Sequence, residues 1–217
     1  MRKTLIEIMF FCILIAPMQT KAYDWQKHVP DHAKQYIQNV NNDITQNDKK
    51  ATFTGVTSLK SQTYDEITVY GPLNIESSNI SSLSSFGPAS IKKSSLSKLF
   101  ISGPLSISST TIDHLEVAGP FSATGRSRIK GSIKVMGPIY IEDSKVESNL
   151  VAYSNDIKFK NVNIYGDITI ESDYNHKPPK LKLENSNITG SVTFSKMKGV
   201  VEKDSNSVIE GGIIGIK

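Results

Sequence analysis

The sequence predicts an all-β chain folded as a single-stranded β-solenoid with coils of about 16–18 residues. Three observations predict it. Glycines stand at 55, 71, 87, 103 and 119, each sixteen residues after the last, with Gly137 following after eighteen. Counted from each glycine, apolar residues recur at offsets two, four, nine, twelve and fourteen: Leu73, Ile75, Ile80 and Leu83, then Ala89, Ile91, Leu96, Leu99 and Ile101, then Leu105, Ile107, Ile112, Leu115 and Val117. The pairs two residues apart have the period of a strand rather than of a helix. A unit this short cannot bury its apolar side alone, but it can when stacked on copies of itself, with equivalent residues in columns about 4.8 Å apart.

The Gly-Pro dipeptide that opens most coils fits a corner. Glycine accepts a positive φ there, and proline fixes the next φ at a place that needs no ladder donor. Collagen is excluded because it needs glycine at every third position. Offset five reads Lys60, Glu76, Lys92 and Ser108, so opposite charges face one another across the ladder. The bend at offsets seven and eight is mostly Ser, Thr and Asn, whose side chains are expected to bond to bend backbone or to their copies in adjacent coils. Ser85 interrupts the offset-fourteen column, and the neighbouring Phe86 is expected to compensate.

The ends carry different text. Arg2 and Lys3 precede an apolar run from Ile8 to Ala16, then Pro17 and Thr20-Lys21-Ala22, which reads as a secretory signal peptide over residues 1–22. The run is far shorter than the roughly 20 residues that span a bilayer. Cleavage removes Cys12, the single cysteine, so the exported chain is expected to hold together by packing without disulfides. It also removes three basic residues and one acidic residue, lowering the formal charge from +4 to +2, too little to point to nucleic acid as a partner. The reading is therefore an exported protein, periplasmic or at the cell surface, with no transmembrane segment after cleavage. Residues 23–50 form an expected cap and linker. Asp31 is placed to start a helix over 31–46, and Ala33, Tyr36, Ile37, Val40 and Ile44 lie along one stripe that would cover the first coil.

Residues 51–217 are then one solenoid domain, regular over 55–136 and irregular over 137–217. In the irregular part a second phrasing appears, "NVNIYGDITI" from Asn161 and "NSNITGSVTF" from Asn185, separated by the loop-like "ESDYNHKPPK". "YGDITI", residues 165–170, resembles the repeats of the bactofilin family, and the stretch from Gly55 to Gly190 is similar in kind. The resemblance implies a right-handed β-helix that self-associates end to end and scaffolds the bacterial cell envelope.

Chemistry is sparse. The densest acidic spots are Asp65-Glu66, Asp113-His114-Leu115-Glu116 and Glu142-Asp143. Asp65 and Asp113 share a column but lie three coils apart, roughly 14 Å, and read as a solvated outer face rather than a catalytic pair. His114 has no evident partner for general-base work, and Pro30 stands between His28 and His32, so no metal site, cofactor site or catalytic residue is assigned. The offsets do not fit the six-residue period of hexapeptide acyltransferases. Tyr140, Tyr153, Tyr165 and Tyr174 gather in the irregular half as a candidate ligand face. Ile213, Ile214 and Ile216 alternate with glycines at the end of the chain and form a candidate self-association edge. The function expected is a non-enzymatic structural or scaffold protein of the envelope, homo-oligomeric through its C-terminal coil. The alternative is a module whose irregular coils bind an envelope polysaccharide or a protein.

Overall fold

The computed structural model describes residues 49–172 and 177–216. The signal peptide and the helix expected over 31–46 lie outside the described residues, as do His28, His32 and Tyr174. Within them the chain is a β-solenoid of parallel ladders. A nine-stranded sheet runs from Thr57–Lys60 to Val200–Lys203, one strand per coil, and a fifteen-stranded sheet forms the rest of the wall. The register is the sixteen-residue one expected: Leu59 pairs with Ile75, Ile75 with Ile91 and Ile91 with Ile107.

Each coil has three sides rather than two strands and a bend. In the coil that starts at Gly71, Leu73–Glu76 makes the first side and Asn79–Phe86 the other two. Ile80, Leu83 and Ser85 point inward, and the three-residue step from Ile80 to Leu83 breaks the two-residue alternation where the strand bends. From Phe121 onward the bend separates two strands, as in Arg128–Ile129 and Ile133–Met136. The lengthened period has a local cause. Ser108 pairs with Thr124, Thr111 with Arg128 and Leu115 with Ile133, so one residue is added at each of two successive corners, near Gly125 and near Gly131.

Glycine is required at the Gly-Pro corner for two reasons. Gly87 and Gly103 have φ of 145° and 144°, and a Cβ on either would lie 2.6 Å from the carbonyl oxygen of the glycine one coil earlier. The second phrasing moves the close contact to another corner: a Cβ on Gly211 would lie 2.6 Å from the carbonyl carbon of Gly190, which itself stacks on Gly166. The change of text along the chain is a change in which corner brings backbones together.

The bend at offset seven is an internal hydroxyl ladder. The Ser78 N–H donates to Ser94 Oγ at 3.1 Å, the Ser94 N–H to Thr110 Oγ1 at 3.5 Å, and the Thr110 N–H to Ser127 Oγ at 3.3 Å. Each hydroxyl in turn donates to a carbonyl of its own coil, Ser78 to Glu76 and Ser94 to Lys92. Ser78, Ser94, Thr110 and Ser127 are all buried, so the ladder supplies partners to backbone groups that water does not reach. The residue before each hydroxyl, Ser77, Lys93, Ser109 or Arg126, takes the left-handed conformation that turns the chain.

One expectation about the core is corrected. Phe86 does not fill the gap at Ser85. It points outward, 42% exposed, and stacks on Tyr70 with ring centroids 5.1 Å apart. Ser85 remains inward between Val69 and Ile101, fully buried, its Oγ without a hydrogen-bond partner. Ser85→Val removes that unpartnered hydroxyl and adds apolar volume matched to its column. It is expected to stabilise the fold by about 1 kcal/mol in chemical denaturation.

Candidate functional surfaces: the outer faces and the last coil

Many outward residues of the ladders bond to residues in neighbouring coils, directly opposite or diagonally. Lys60 Nζ lies 3.5 Å from Glu76, as the alternating column at offset five implies. On the same side, Lys160 meets Glu142 at 2.7 Å, Lys158 meets Glu184 at 3.0 Å, and Lys180 meets Glu202 at 2.7 Å. Several of the residues singled out for chemistry have the same kind of partner. Glu66 pairs with Lys50 at 2.7 Å, Asp113 with Lys130 at 3.3 Å and Glu116 with Lys134 at 3.1 Å, while His114 Nδ1 lies 3.1 Å from Ser132 Oγ. His114 stands in the column of Glu66, Ser82 and Lys98, as the register implies. Among the described residues no three of His, Cys, Asp and Glu converge as a metal-binding group. One open recess at a corner is lined by Ser109, Gly125, Arg126 and Asp143.

The tyrosines lie on different sheets. Tyr140 is in the nine-stranded sheet, its hydroxyl donating to Glu142 Oε2 at 2.7 Å. Desolvation first, and the Glu142 carboxylate second, push its phenol up to about 12. Glu142 is held below its ordinary range by Lys160 first and Tyr140 second. Tyr153 is in the fifteen-stranded sheet, beside Met136 and Glu171. Tyr165 is 52% exposed with Lys145 Nζ 4.6 Å from its ring centroid. The insertion after Glu171 is visible in the register: Tyr153 pairs with Glu171, a step of eighteen, whereas Lys160 pairs with Glu184, a step of twenty-four.

The strongest carboxylate perturbation belongs to Glu147. Arg128 donates to it through Nε and Nη2, both at 2.9 Å, and Lys145 Nζ lies 2.8 Å away. The Arg128 hydrogen bonds, then that of Lys145, lower its pKa to about 2. A depressed carboxylate favours the fold above its ordinary range, and that contribution is lost as pH falls from about 4.5 toward 2. An NMR titration should place the Glu147 midpoint near 2, and Arg128→Gln should move it upward. A midpoint in the ordinary carboxylate range for the unaltered protein would show that the cluster does not form in solution.

No family model, no curated protein and no solved structure matches this chain. The likeness to bactofilins therefore rests on the repeat text, and what the residues themselves establish is the β-solenoid. No helix among the described residues is long and apolar enough to cross a membrane.

The last coil differs from those before it. Its three strands, Val200–Lys203, Val208–Ile209 and Ile213–Ile214, each have a ladder neighbour on one side only among the described residues. Ile213 pairs with Val192 and faces inward, partly buried, whereas Ile214 pairs with Thr193 and faces outward, 60% exposed. Ile216 bridges to Gly199 and is 46% exposed. Val201 and Ile209 join Ile213 against the core. At the other end Leu59 is 6% and Tyr64 5% exposed, and Phe53 packs edge-to-face on Tyr64 at 6.2 Å. Sequence reasoning missed one residue of this coil. Lys203 pairs with Leu183 and so occupies the inward column of Leu59, Ile75, Ile91, Ile107, Ala123, Ile141 and Phe159. Setting "KLKLENSN" over "VVEKDSNS" would have revealed it.

Proposed function

We propose that this protein is a non-enzymatic structural element of the bacterial cell envelope, exported to the periplasm or cell surface, acting as a rigid scaffold that meets a second copy through its C-terminal coil. The observation that carries the reading is the use of the outward polar groups. Glu66, Asp113, Glu116 and Glu142 each hold a lysine, Asp143 accepts from the Asn161 amide and His114 meets Ser132, so most of the acids and the base singled out for catalysis serve contacts between coils instead. The bactofilin-like text at 165–170 supports the same role. The one-sided ladders of the last coil support self-association there, since an unpaired strand edge templates pairing with another chain.

The test is a glycan-array screen of the purified exported protein together with fractionation of the cells that make it. The expected result is protein in the envelope or outside the cell, beginning at Tyr23, with no specific glycan retained. Specific glycan binding that disappears when residues 171–180 are deleted would replace the scaffold with the polysaccharide-binding module. Cytoplasmic protein with an intact N-terminus would remove the export.

A further inference from the structure

The last coil carries an ammonium group where every earlier coil carries an apolar side chain. The column above Lys203 is buried throughout, with Leu59 at 6%, Ile75, Ile91, Ile107, Ala123, Ile141 and Phe159 at 0%, and Leu183 at 1% exposure, whereas Lys203 is exposed. Its backbone continues the ladder under Leu183, so the register is intact and only the chemistry changes. Its Nζ donates to the Ser207 carbonyl at 3.0 Å, within the same coil. The side chain thus belongs to an inward column position while its charged head remains at the end of the stack and in contact with water. Asp204 is anchored beside it, accepting from the Asn185 N–H at 2.9 Å and from the Ser207 hydroxyl at 2.5 Å, which holds the corner that Lys203 bonds to.

Any further coil laid beneath the last one, from this chain or another, would place its own inward residue under Lys203. The ammonium would then be sealed in an apolar column with a single carbonyl as partner, and a charge desolvated in that way opposes the contact. An inward-pointing charge is one of the devices by which sheet edges are kept from pairing. The remainder of the coil does not oppose stacking: Val201, Ile209 and Ile213 are partly buried and apolar, and Val208, Ile214 and Ile216 are exposed at 49%, 60% and 46%.

We infer that Lys203 is a stop residue, which limits docking of a second copy at the C-terminal coil to a weak contact and prevents the stack from growing through that end. The inference rests on the proposed self-association in placing the contact at this coil, but it assigns to one side chain the limit on its strength. Lys203→Leu completes the column and is expected to shift the self-association constant at least tenfold toward the associated state in sedimentation equilibrium. Lys203→Arg is expected to behave as the unaltered protein. Adding Ile213→Glu to Lys203→Leu should return it to monomer, which places the contact at this coil and separates specific docking from misfolding, with β-sheet circular dichroism and melting followed in each variant.

A Lys203→Leu protein that associates no more tightly than the unaltered one overturns the stop while leaving the self-association proposal standing if both form dimers. If both are monomers at high concentration, both ideas fall. A monomeric unaltered protein with an associating Lys203→Leu variant keeps the stop and removes only the association of the natural chain. Association or precipitation of Lys203→Leu that persists with Ile213→Glu also overturns the inference, since the contact is then elsewhere.

Discussion

Gly87→Ala is expected to destabilise the protein by roughly 3–4 kcal/mol, a large effect for a single methyl group. Two independent penalties add. The backbone at Gly87 has φ of 145°, a region that residues with a Cβ rarely enter. The added Cβ would also lie 2.6 Å from the Gly71 carbonyl oxygen and 2.8 Å from its carbonyl carbon. That neighbour is main chain, held by the Gly71 N–H donation to the Phe86 carbonyl at 2.9 Å, so it cannot move aside without breaking the ladder. The same substitution at Gly55 is a control within the molecule. Gly55 has φ of 91°, but a Cβ there meets nothing within 4 Å, so Gly55→Ala should carry the conformational penalty without the collision. Urea denaturation of both variants separates the two causes. Equal losses would show that corner crowding contributes nothing.

Ser94→Ala is expected to cost about 2 kcal/mol, far more than a surface serine. Its hydroxyl is the acceptor for the buried Ser78 N–H, and it donates to the Lys92 carbonyl at 2.7 Å. Lys92 keeps its bond from the Ser77 N–H, so the group left orphaned is the Ser78 donor. Ser94→Thr should be tolerated, because Thr110 fills the equivalent position one coil later and makes the same pair of bonds. Hydrogen exchange at the Ser78 amide reads the effect directly: its protection should fall in Ser94→Ala and persist in Ser94→Thr. Unchanged protection in the alanine variant would mean that the ladder is not what holds this corner.

These two positions also show how much of the fold was legible in the sequence. The columns at offsets two, four, nine, twelve and fourteen were readable because stacking forces equivalent residues to share an environment, and Ile75, Ile91 and Ile107 do stack. The third side was not read, because Ile80 to Leu83 is a three-residue step that matches neither a strand nor a helix until the bend is known. The hydroxyl column was noticed as polar text, but its burial was not, since serine is usually a surface residue. Phe86 was expected inside because apolar residues usually are. The strand's alternation places it outside once Ser85 is fixed inward.

The surfaces were less legible than the core. Spacing placed Glu66 and His114 in one column but gave no sign that lysines at 50, 130 and 134 would reach Glu66, Asp113 and Glu116. At the far end, the run Ile213, Ile214, Ile216 drew attention to an apolar edge, while Lys203 escaped it because the insertion after Glu171 had broken the count. Once the register is carried across that insertion, the residue under Leu183 is a lysine.

The central claim is that one register of stacked coils runs unbroken through the insertion, from the regular half into the irregular half. A distance between spin labels tests it most directly. Ser90 and Lys182 lie in one outward column of the nine-stranded sheet, joined through Ser106, Ser122, Tyr140 and Lys158. Cysteines at 90 and 182 in a Cys12→Ser background carry labels at those two positions alone. Five coil steps at about 4.8 Å predict a single narrow distribution centred near about 24 Å, widened by the label arms. A broad distribution, or one centred well beyond that reach, would contradict a continuous solenoid and with it the placement of Lys203 at the end of the column.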